Sequence, residues 1–204
     1  MKDNYIGKDL NLAAQKLLCG GVVAFPTETV MGLGVIYDNF DAYNRLNKIK
    51  GRPENKPYTM MLASVNDIEK YAYIDDKAKK VIDAFMPGPL TILLNVKDAV
   101  PSWVHHNTGV IGVRVPDYPL LNELLNKVNK PLLVPSANPS NLPPALTVEK
   151  VSIYFNETLD YIIDNDSLEQ LPSTIVDLSG DHLKILREGQ IKKENILKIL
   201  GEGL

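Results

Sequence analysis

Apolar residues recur with two different spacings along the 204-residue chain. Where they stand three and four positions apart, they indicate one buried face of a helix. Where a few largely apolar residues follow one another between glycines and prolines, they indicate a buried strand. The predicted helices cover residues 8–19, 40–49, 65–71, 76–85, 120–128, 147–155 and 193–200, and the predicted strands cover 21–25, 58–63, 90–96, 109–115, 131–134, 161–163, 174–178 and 183–186.

Because helices alternate with strands, the fold class expected is α/β or α+β with a mixed sheet. Hydrophobic residues make up 45% of the chain and charged residues 23%, so a core can form and disorder is not expected. The length fits one domain, and the sequence contains no internal repeat and no linker.

Charge and composition exclude several classes of function. The formal net charge is −3, which argues against a broadly basic nucleic-acid-binding surface but is compatible with a local basic cleft. One cysteine excludes an internal disulfide framework, and the three histidines lack the spacing of a zinc site. With no signal sequence and no apolar run of roughly 18 residues, a cytoplasmic location is expected.

The segment KGRPENKP, residues 50–57, concentrates positive charge between two prolines. Lys50 and Arg52 are two positions apart, so in extended backbone both side chains point to the same side. Prolines favour extended geometry in the residues before them, which here are Arg52 and Lys56. Three cations on a stiffened segment suit a polyphosphate. The alternative is a solvated surface loop with ordinary charges.

Two further polar segments each follow a buried strand. In PTETVMGLG, residues 26–34, Thr27 and Thr29 can present hydroxyls together, and the two glycines permit close approach of backbone to a ligand. In PSANPS, residues 135–140, Ser136 and Asn138 supply donors and acceptors at a second strand end. Ordinary turns are the alternative explanation of both segments.

Two arginines and a serine complete the candidate chemistry. Arg114 lies within an apolar strand, where its charge is costly unless an anion pairs with it. That anion is either a ligand or a protein carboxylate, and the same two explanations apply to Arg187 at the end of another strand. Ser173 precedes a strand and is again placed at a sheet edge.

Neither of the standard glycine-rich nucleotide motifs is present. Taken together and in this order, however, the segments resemble one family, the YrdC-like threonylcarbamoyl-AMP synthases. The resemblance extends from Gly20 to about Gly189. Its matching pieces are PTETVMGLG at 26–34, KGRPENKP at 50–57, PGPLT at 87–91, VRVP at 113–116, PSANPS at 135–140, STIVD at 173–177 and REG at 187–189.

The resemblance implies a twisted mixed sheet flanked by helices around a large concave cavity. It also implies a single domain over residues 1–204, without the second C-terminal domain of the family's long form. The activity implied is synthesis of threonylcarbamoyl-adenylate and pyrophosphate from L-threonine, bicarbonate and ATP, for the threonylcarbamoyladenosine modification of tRNA. Mg²⁺ would enter with ATP and without direct protein ligands. Further candidate partners are tRNA and other tRNA-modification proteins, but not a membrane.

Site roles follow from the same resemblance, position by position. The catalytic signatures fall on Lys50, Arg52, Ser136 and Asn138. The ATP contacts fall on Arg52, Lys56, Ser136 and Arg187. The threonine contacts fall on Thr27, Thr29, Arg114 and Ser173.

The chain departs from the family pattern at several positions, and two of these bear on the recognition of threonine. Met31 stands where the family usually has tyrosine, and Met61 stands where some members have a histidine that contacts threonine. One alternative is therefore a divergent paralogue that binds nucleotide or RNA without threonine-specific synthase activity. An RNA-binding module and a structural partner in tRNA modification are the others.

Overall fold

A computed structural model describes residues 5–51, 57–167 and 171–201. In these ranges the helices are α1 (Leu10–Leu18), α2 (Phe40–Lys50), α3 (Ile68–Tyr71), α4 (Asp76–Phe85), α5 (Pro119–Val128), α6 (Val148–Phe155) and α7 (Lys193–Leu200). The strands are β1 (Ile6–Gly7), β2 (Val23–Phe25), β3 (Gly32–Ile36), β4 (Thr59–Met61), β5 (Leu90–Asn95), β6 (Val110–Arg114), β7 (Leu132–Val134), β8 (Tyr161–Ile163), β9 (Thr174–Asp177) and β10 (Lys184–Arg187).

The strands join into one mixed sheet with the order β1-β8-β2-β3-β7-β4-β6-β5-β9-β10. Strand β8 runs parallel to both β1 and β2, β4 runs parallel to β6, and β5 runs parallel to β9. The pairs β2–β3, β3–β7, β4–β7, β5–β6 and β9–β10 are antiparallel. The predicted α/β class with a mixed sheet is confirmed.

Helices cover both faces of the sheet. Along β2, Val23 and Phe25 belong to one apolar cluster and Ala24 to another. Because successive strand residues point to opposite faces, the two clusters lie on opposite sides of the sheet. Helices α1 and α5 contribute buried residues to the first cluster, and α2, α4, α6 and α7 contribute to the second. In the described ranges no helix is both long and apolar enough to cross a lipid bilayer.

Helix α2 ends later than the sequence pattern predicts, and this changes the interpretation of Lys50. The helix includes Lys50, and Gly51 closes it in the left-handed region at φ 59°. The expectation that Lys50 begins an extended segment is therefore wrong, because its backbone is helical. Arg52 and Lys56 lie outside the described residues, so the rest of that segment remains a prediction.

Strand β3 was not among the predicted strands, and its glycines explain why. Glycine is depleted in strands, so Gly32 and Gly34 indicate a turn when only the sequence is considered. In the structure both pair with β2, and an added Cβ on Gly34 would lie 2.5 Å from Cε1 of Phe25. The Phe25 ring fills the space that a side chain at Gly34 would need. The sequence predicts a turn at the end of β2, but from Gly32 onwards the chain instead forms a strand that packs closely against β2.

We predict that Gly34→Ala lowers the free energy of unfolding by about 1–3 kcal/mol, the usual cost of overpacking a core. The matched control is Gly180→Ala, because Gly180 is exposed and an added Cβ there would meet nothing within 4 Å. Urea unfolding of both variants measures the difference. Equal stability of the two variants would contradict the packing role of Phe25.

Candidate active site

A cavity of about 460 Å³ opens on the sheet face that carries α1 and α5. Met61 and Val134 line the cavity and also belong to the apolar cluster of that face, which places the cavity on the same face. The segments that follow β2 and β7, the segment before β9, and strands β4, β5, β6 and β10 contribute its polar wall. The polar side chains that line it are Thr27, Thr29, Tyr58, Thr59, Thr91, Arg114, Ser136, Ser173 and Arg187.

A directed chain of hydroxyls forms one wall. The Thr27 hydroxyl donates to the carbonyl oxygen of Val30 at 2.7 Å, and its oxygen lies 2.8 Å from the Thr29 hydroxyl oxygen. Because a hydroxyl has one proton, Thr27 must accept the proton of Thr29. The Thr29 oxygen in turn accepts from Nη1 and Nη2 of Arg114, each at 3.3 Å. Both threonines are buried and lie in the cavity wall as the sequence predicts.

Arg114 forms a buried ion pair at the edge of the cavity. Its Nη2 lies 2.8 Å from Oε1 of Glu28, and the two side chains are 5% and 11% exposed. Among the described residues, Arg114 Nε and Glu28 Oε2 are buried without a hydrogen-bond partner. The protein carboxylate that was one explanation for Arg114 is therefore confirmed as Glu28. Arg114 also lines the cavity, and its contact with a ligand remains a prediction.

Ser173 and Arg187 form the opposite polar wall. Arg187 donates through Nε to the carbonyl oxygen of Ser173 at 2.9 Å and through Nη2 to its hydroxyl at 3.1 Å. The Ser173 hydroxyl also lies 3.2 Å from that of Thr91. Burial at the cavity wall, followed by the charge of Arg114, lowers the pKa of Arg187 from its usual value. Two guanidinium groups therefore act on the same space, and the resulting field favours an anionic ligand.

The segment after β7 brings Ser136 to the cavity. Ala137 donates its backbone N–H to the carbonyl of Met31 at 2.7 Å, which fastens the segment beside β3. The Ser136 hydroxyl donates to Oδ1 of Asn138 at 2.6 Å. The side-chain amide of Asn138 donates to the carbonyls of Pro139 and Leu142. Ser136 lines the cavity, whereas Asn138 holds the shape of the loop from behind.

Lys50 reaches the same loop from the end of α2. The residue is 3% exposed, and its Nζ donates to the carbonyl oxygens of Ser136 and Asn138 at 2.6 and 2.5 Å. The backbone carbonyl of Lys50 also accepts from the N–H of Ser140 at 2.8 Å. These three bonds join α2 to the loop that carries Ser136. The predicted contact of Lys50 with phosphate remains a prediction.

The structure brings six of the sequence-predicted site residues together in the cavity wall: Thr27, Thr29, Arg114, Ser136, Ser173 and Arg187. Lys50 and Asn138 stand behind that wall and support it. Arg52 and Lys56 lie outside the described residues. Within those residues, no group of three His, Cys, Asp or Glu side chains could hold a metal ion.

Sequence reasoning missed Glu28 and Thr91. Thr91 lies in the segment PGPLT, one of those that match the family. Nothing in the residues around it predicts that its side chain lines a cavity. Glu28 carried a usable signal, because it is the one ionisable residue in the stretch 22–36. An arginine in an apolar strand needs a carboxylate partner, and an isolated acid in another apolar stretch is a natural candidate.

Comparison with known proteins places this fold and site in a family. The Sua5/YciO/YrdC family model, which carries the description "Telomere recombination", matches residues 15–189. The chain belongs to this family. A protein of Methanocaldococcus jannaschii is 36% identical over 192 residues, which are 94% of this chain and 90% of the relative.

Two further members extend the comparison. The threonylcarbamoyl-AMP synthase of Bacillus subtilis is 34% identical over 93% of this chain and 56% of its own length. The crystal structure of Pyrococcus abyssi Sua5 complexed with L-threonine superposes with a TM-score of 0.91 at 31% identity, over 97% of this chain and 60% of that one. The chain therefore spans somewhat more than half the length of these two family members.

We predict that Lys50→Met lowers the free energy of unfolding by about 3 kcal/mol or more, because two charge-assisted hydrogen bonds are lost. Lys48→Met is the matched control, since Lys48 lies on the same helix but is exposed. Urea unfolding monitored by circular dichroism measures both variants. If Lys50→Met were as stable as Lys48→Met, the hydrogen bonds from Lys50 to the Ser136 loop would not contribute to the stability of the fold.

Proposed function

We propose that this member of the Sua5/YciO/YrdC family is a threonylcarbamoyl-AMP synthase, a nucleotidyltransferase that uses L-threonine, bicarbonate and ATP. The observation that carries the proposal is the polar wall of Thr29, Arg114, Ser173 and Arg187 around one cavity. Hydroxyls beside guanidinium groups can bind an amino acid with a hydroxyl and a carboxylate. The relative from Pyrococcus abyssi, which shares the fold at a TM-score of 0.91, is complexed with L-threonine.

The reaction joins a carbamate to a nucleotide. The amine of threonine and bicarbonate give N-carboxy-threonine and water. A carboxylate oxygen of this carbamate attacks the α-phosphorus of ATP and forms a new P–O bond. The bond from the α-phosphorus to the α,β-bridging oxygen breaks, and that oxygen leaves with the β- and γ-phosphates as pyrophosphate. The products are threonylcarbamoyl-adenylate and pyrophosphate. No covalent bond to the protein is needed, so the contribution of the protein is positioning and charge stabilisation.

The described residues divide these tasks between the two walls. In the proposal Arg114 and Thr29 bind the amino acid, because they form a donor–acceptor pair within the buried wall. Arg187 and Ser136 face the nucleotide, and Arg52, Lys56 and Lys50 add positive charge for the phosphates. Mg²⁺ is proposed to arrive with ATP, carried by its phosphate oxygens, as is usual for nucleoside triphosphates.

The product would feed the threonylcarbamoyladenosine modification of tRNA, so tRNA and other tRNA-modification proteins are the proposed further partners. The second candidate is a divergent paralogue that binds a nucleotide or RNA without threonine-specific synthesis. It is favoured by Met31 and Met61, which line the cavity without a strong hydrogen-bonding group. The amino acid requirement of the reaction separates the two candidates.

We predict that the purified protein forms threonylcarbamoyl-adenylate from ATP, bicarbonate and L-threonine, and that Arg52→Ala lowers the rate roughly a hundredfold, because a phosphate contact is lost. Mass spectrometry identifies the product, and pyrophosphate release gives the rate. Lys48→Ala, an exposed cation on α2, is the control and should retain the wild-type rate. Pyrophosphate release that ignores threonine altogether would refute the synthase proposal and favour the divergent paralogue.

We predict weak discrimination between threonine and serine. Recognition of the methyl that distinguishes them is worth about 1–3 kcal/mol in a good pocket. Met31 and Met61 are flexible, and a thioether gives the substrate hydroxyl no donor. Pyrophosphate release with threonine, serine and valine, each with bicarbonate, should rank threonine first, serine close behind and valine last. Strong rejection of serine would leave the synthase proposal standing but would refute the argument from the two methionines.

A further inference from the structure

Glu28 is a buried carboxylate that the proposed reaction does not use. It is 9% exposed and lies between β2 and β3, in the same tripeptide as Thr27 and Thr29. The residues that line the cavity include both threonines and Arg114, but not Glu28. Any influence of Glu28 on a ligand must therefore act through a neighbouring side chain.

The contacts of Glu28 identify that neighbour. Its Oε1 lies 2.8 Å from Nη2 of Arg114 and accepts the backbone N–H of Asp117 at 3.0 Å. The Asp117 bond fixes the carboxylate against the chain just beyond β6, which itself carries Arg114. The acid is thus held by the same strand end whose arginine it contacts, and their relative position is set by backbone geometry.

The guanidinium group is fixed at two of its nitrogens. Nη2 contacts Glu28 and Thr29, and Nη1 contacts Thr29. A guanidinium is planar, so contacts at two nitrogens set both its position and the tilt of its plane. The Thr29 oxygen is available as an acceptor because the Thr29 proton is directed to Thr27. Glu28 therefore holds the guanidinium through an ion pair, and Thr29, whose proton is directed to Thr27, holds it through neutral hydrogen bonds.

The negative charge of Glu28 also affects ligand binding, in the direction opposite to the effect of holding the guanidinium in place. Its carboxylate partly neutralises Arg114, so removing that charge would leave a stronger field for an anionic ligand. If the field controlled binding, loss of the Glu28 charge would tighten the binding of an amino acid carboxylate. If the orientation of the guanidinium controlled binding, the same change would weaken it. The two effects predict opposite shifts in KM.

We propose that Glu28 is a positioning residue, which holds the Arg114 guanidinium in the plane that binds the carboxylate of the amino acid substrate. The inference rests on the proposed function for the identity of that substrate. The arrangement of Arg114 itself does not depend on it, and can be examined without any ligand.

The first measurement compares Glu28→Gln with the wild-type protein by NMR of the arginine side chains. A fixed guanidinium rotates slowly and gives resolved Nη protons, and Arg114→Lys assigns those of Arg114 by their disappearance. We expect the resolved signals in the wild-type protein and their loss in Glu28→Gln. The backbone amide spectrum checks that the variant is folded. If it is not, Glu28→Asp keeps the charge but withdraws the carboxylate by one methylene, and is used in its place.

The second measurement is steady-state pyrophosphate release. Glu28→Gln should raise the KM for threonine about tenfold or more, as expected when a binding group loses its geometry, while the KM for ATP stays nearly constant. A variant that was merely less stable would lose active enzyme and lower kcat without this split. In an Arg114→Lys background, Glu28→Gln should raise the KM for threonine little further, because the ammonium group of a lysine has no plane to orient.

Three results would decide against parts of this account. Persistence of the Arg114 Nη signals in folded Glu28→Gln overturns the positioning role. An unchanged or lower KM for threonine in that variant overturns it as well, since field rather than orientation would then control binding. A wild-type protein that releases no pyrophosphate with threonine refutes the proposed function instead, and the NMR comparison still decides the role of Glu28.

Discussion

The ion pair between Arg114 and Glu28 is the constraint on which the site depends. Both charges are removed from water, and each alone would be unfavourable in that position. Leaving one of them unpaired by removing its partner typically costs 3–5 kcal/mol. Strand β6 and the segment between β2 and β3 are remote in sequence, yet they must come together for either side chain to be buried. The fold and the cavity wall that carries Arg114 are therefore stabilised by the same contact.

The strand order explains how residues distant in sequence form one cavity. Strands β6, β5, β9 and β10 lie side by side, so Arg114, Thr91, Ser173 and Arg187 follow one another across the sheet. The Ser136 loop approaches from β7 and is tied to β3 by backbone hydrogen bonds. Regular strands set the spacing of these groups, and sites on such elements are held more closely than sites on free loops.

Most of the fold could be predicted from the spacing of apolar residues. Helices α4 and α7 and strand β8 have the bounds that the pattern predicts. Helix α4 buries one periodic face, and β8 is a short apolar run that is buried throughout. Strand β3 was missed since its glycines serve the packing of Phe25, a contact between strands that no local pattern reports. Lys50 was interpreted as part of a charged loop, although it ends a helix and binds two carbonyls there.

For the site, the sequence predicted which residues lie at the cavity better than it predicted the contacts between them. Residue types and spacing indicated which side chains are polar at strand ends, and six of them do line the cavity. They did not indicate that Glu28 pairs with Arg114, or that the Thr29 hydroxyl accepts from that arginine, because both contacts join segments that are remote in sequence. Only the resemblance to a family linked the segments before the structure did.

The placement of charge bears on the kind of ligand that the cavity suits. Arg114 is balanced by Glu28, whereas no ion pair of Arg187 occurs among the described residues. The uncompensated positive charge of the cavity therefore lies at Arg187, which is partly exposed at the end of β10, whereas Arg114 is buried with its carboxylate partner. Salt screens a buried charge such as that of Arg114 less than a partly exposed one such as that of Arg187. A long polyanion such as RNA binds through many exposed contacts, so its affinity falls steeply with salt. The cations Arg114 and Arg187 that line this cavity instead suit a small anion, which they can bind through a few directed hydrogen bonds.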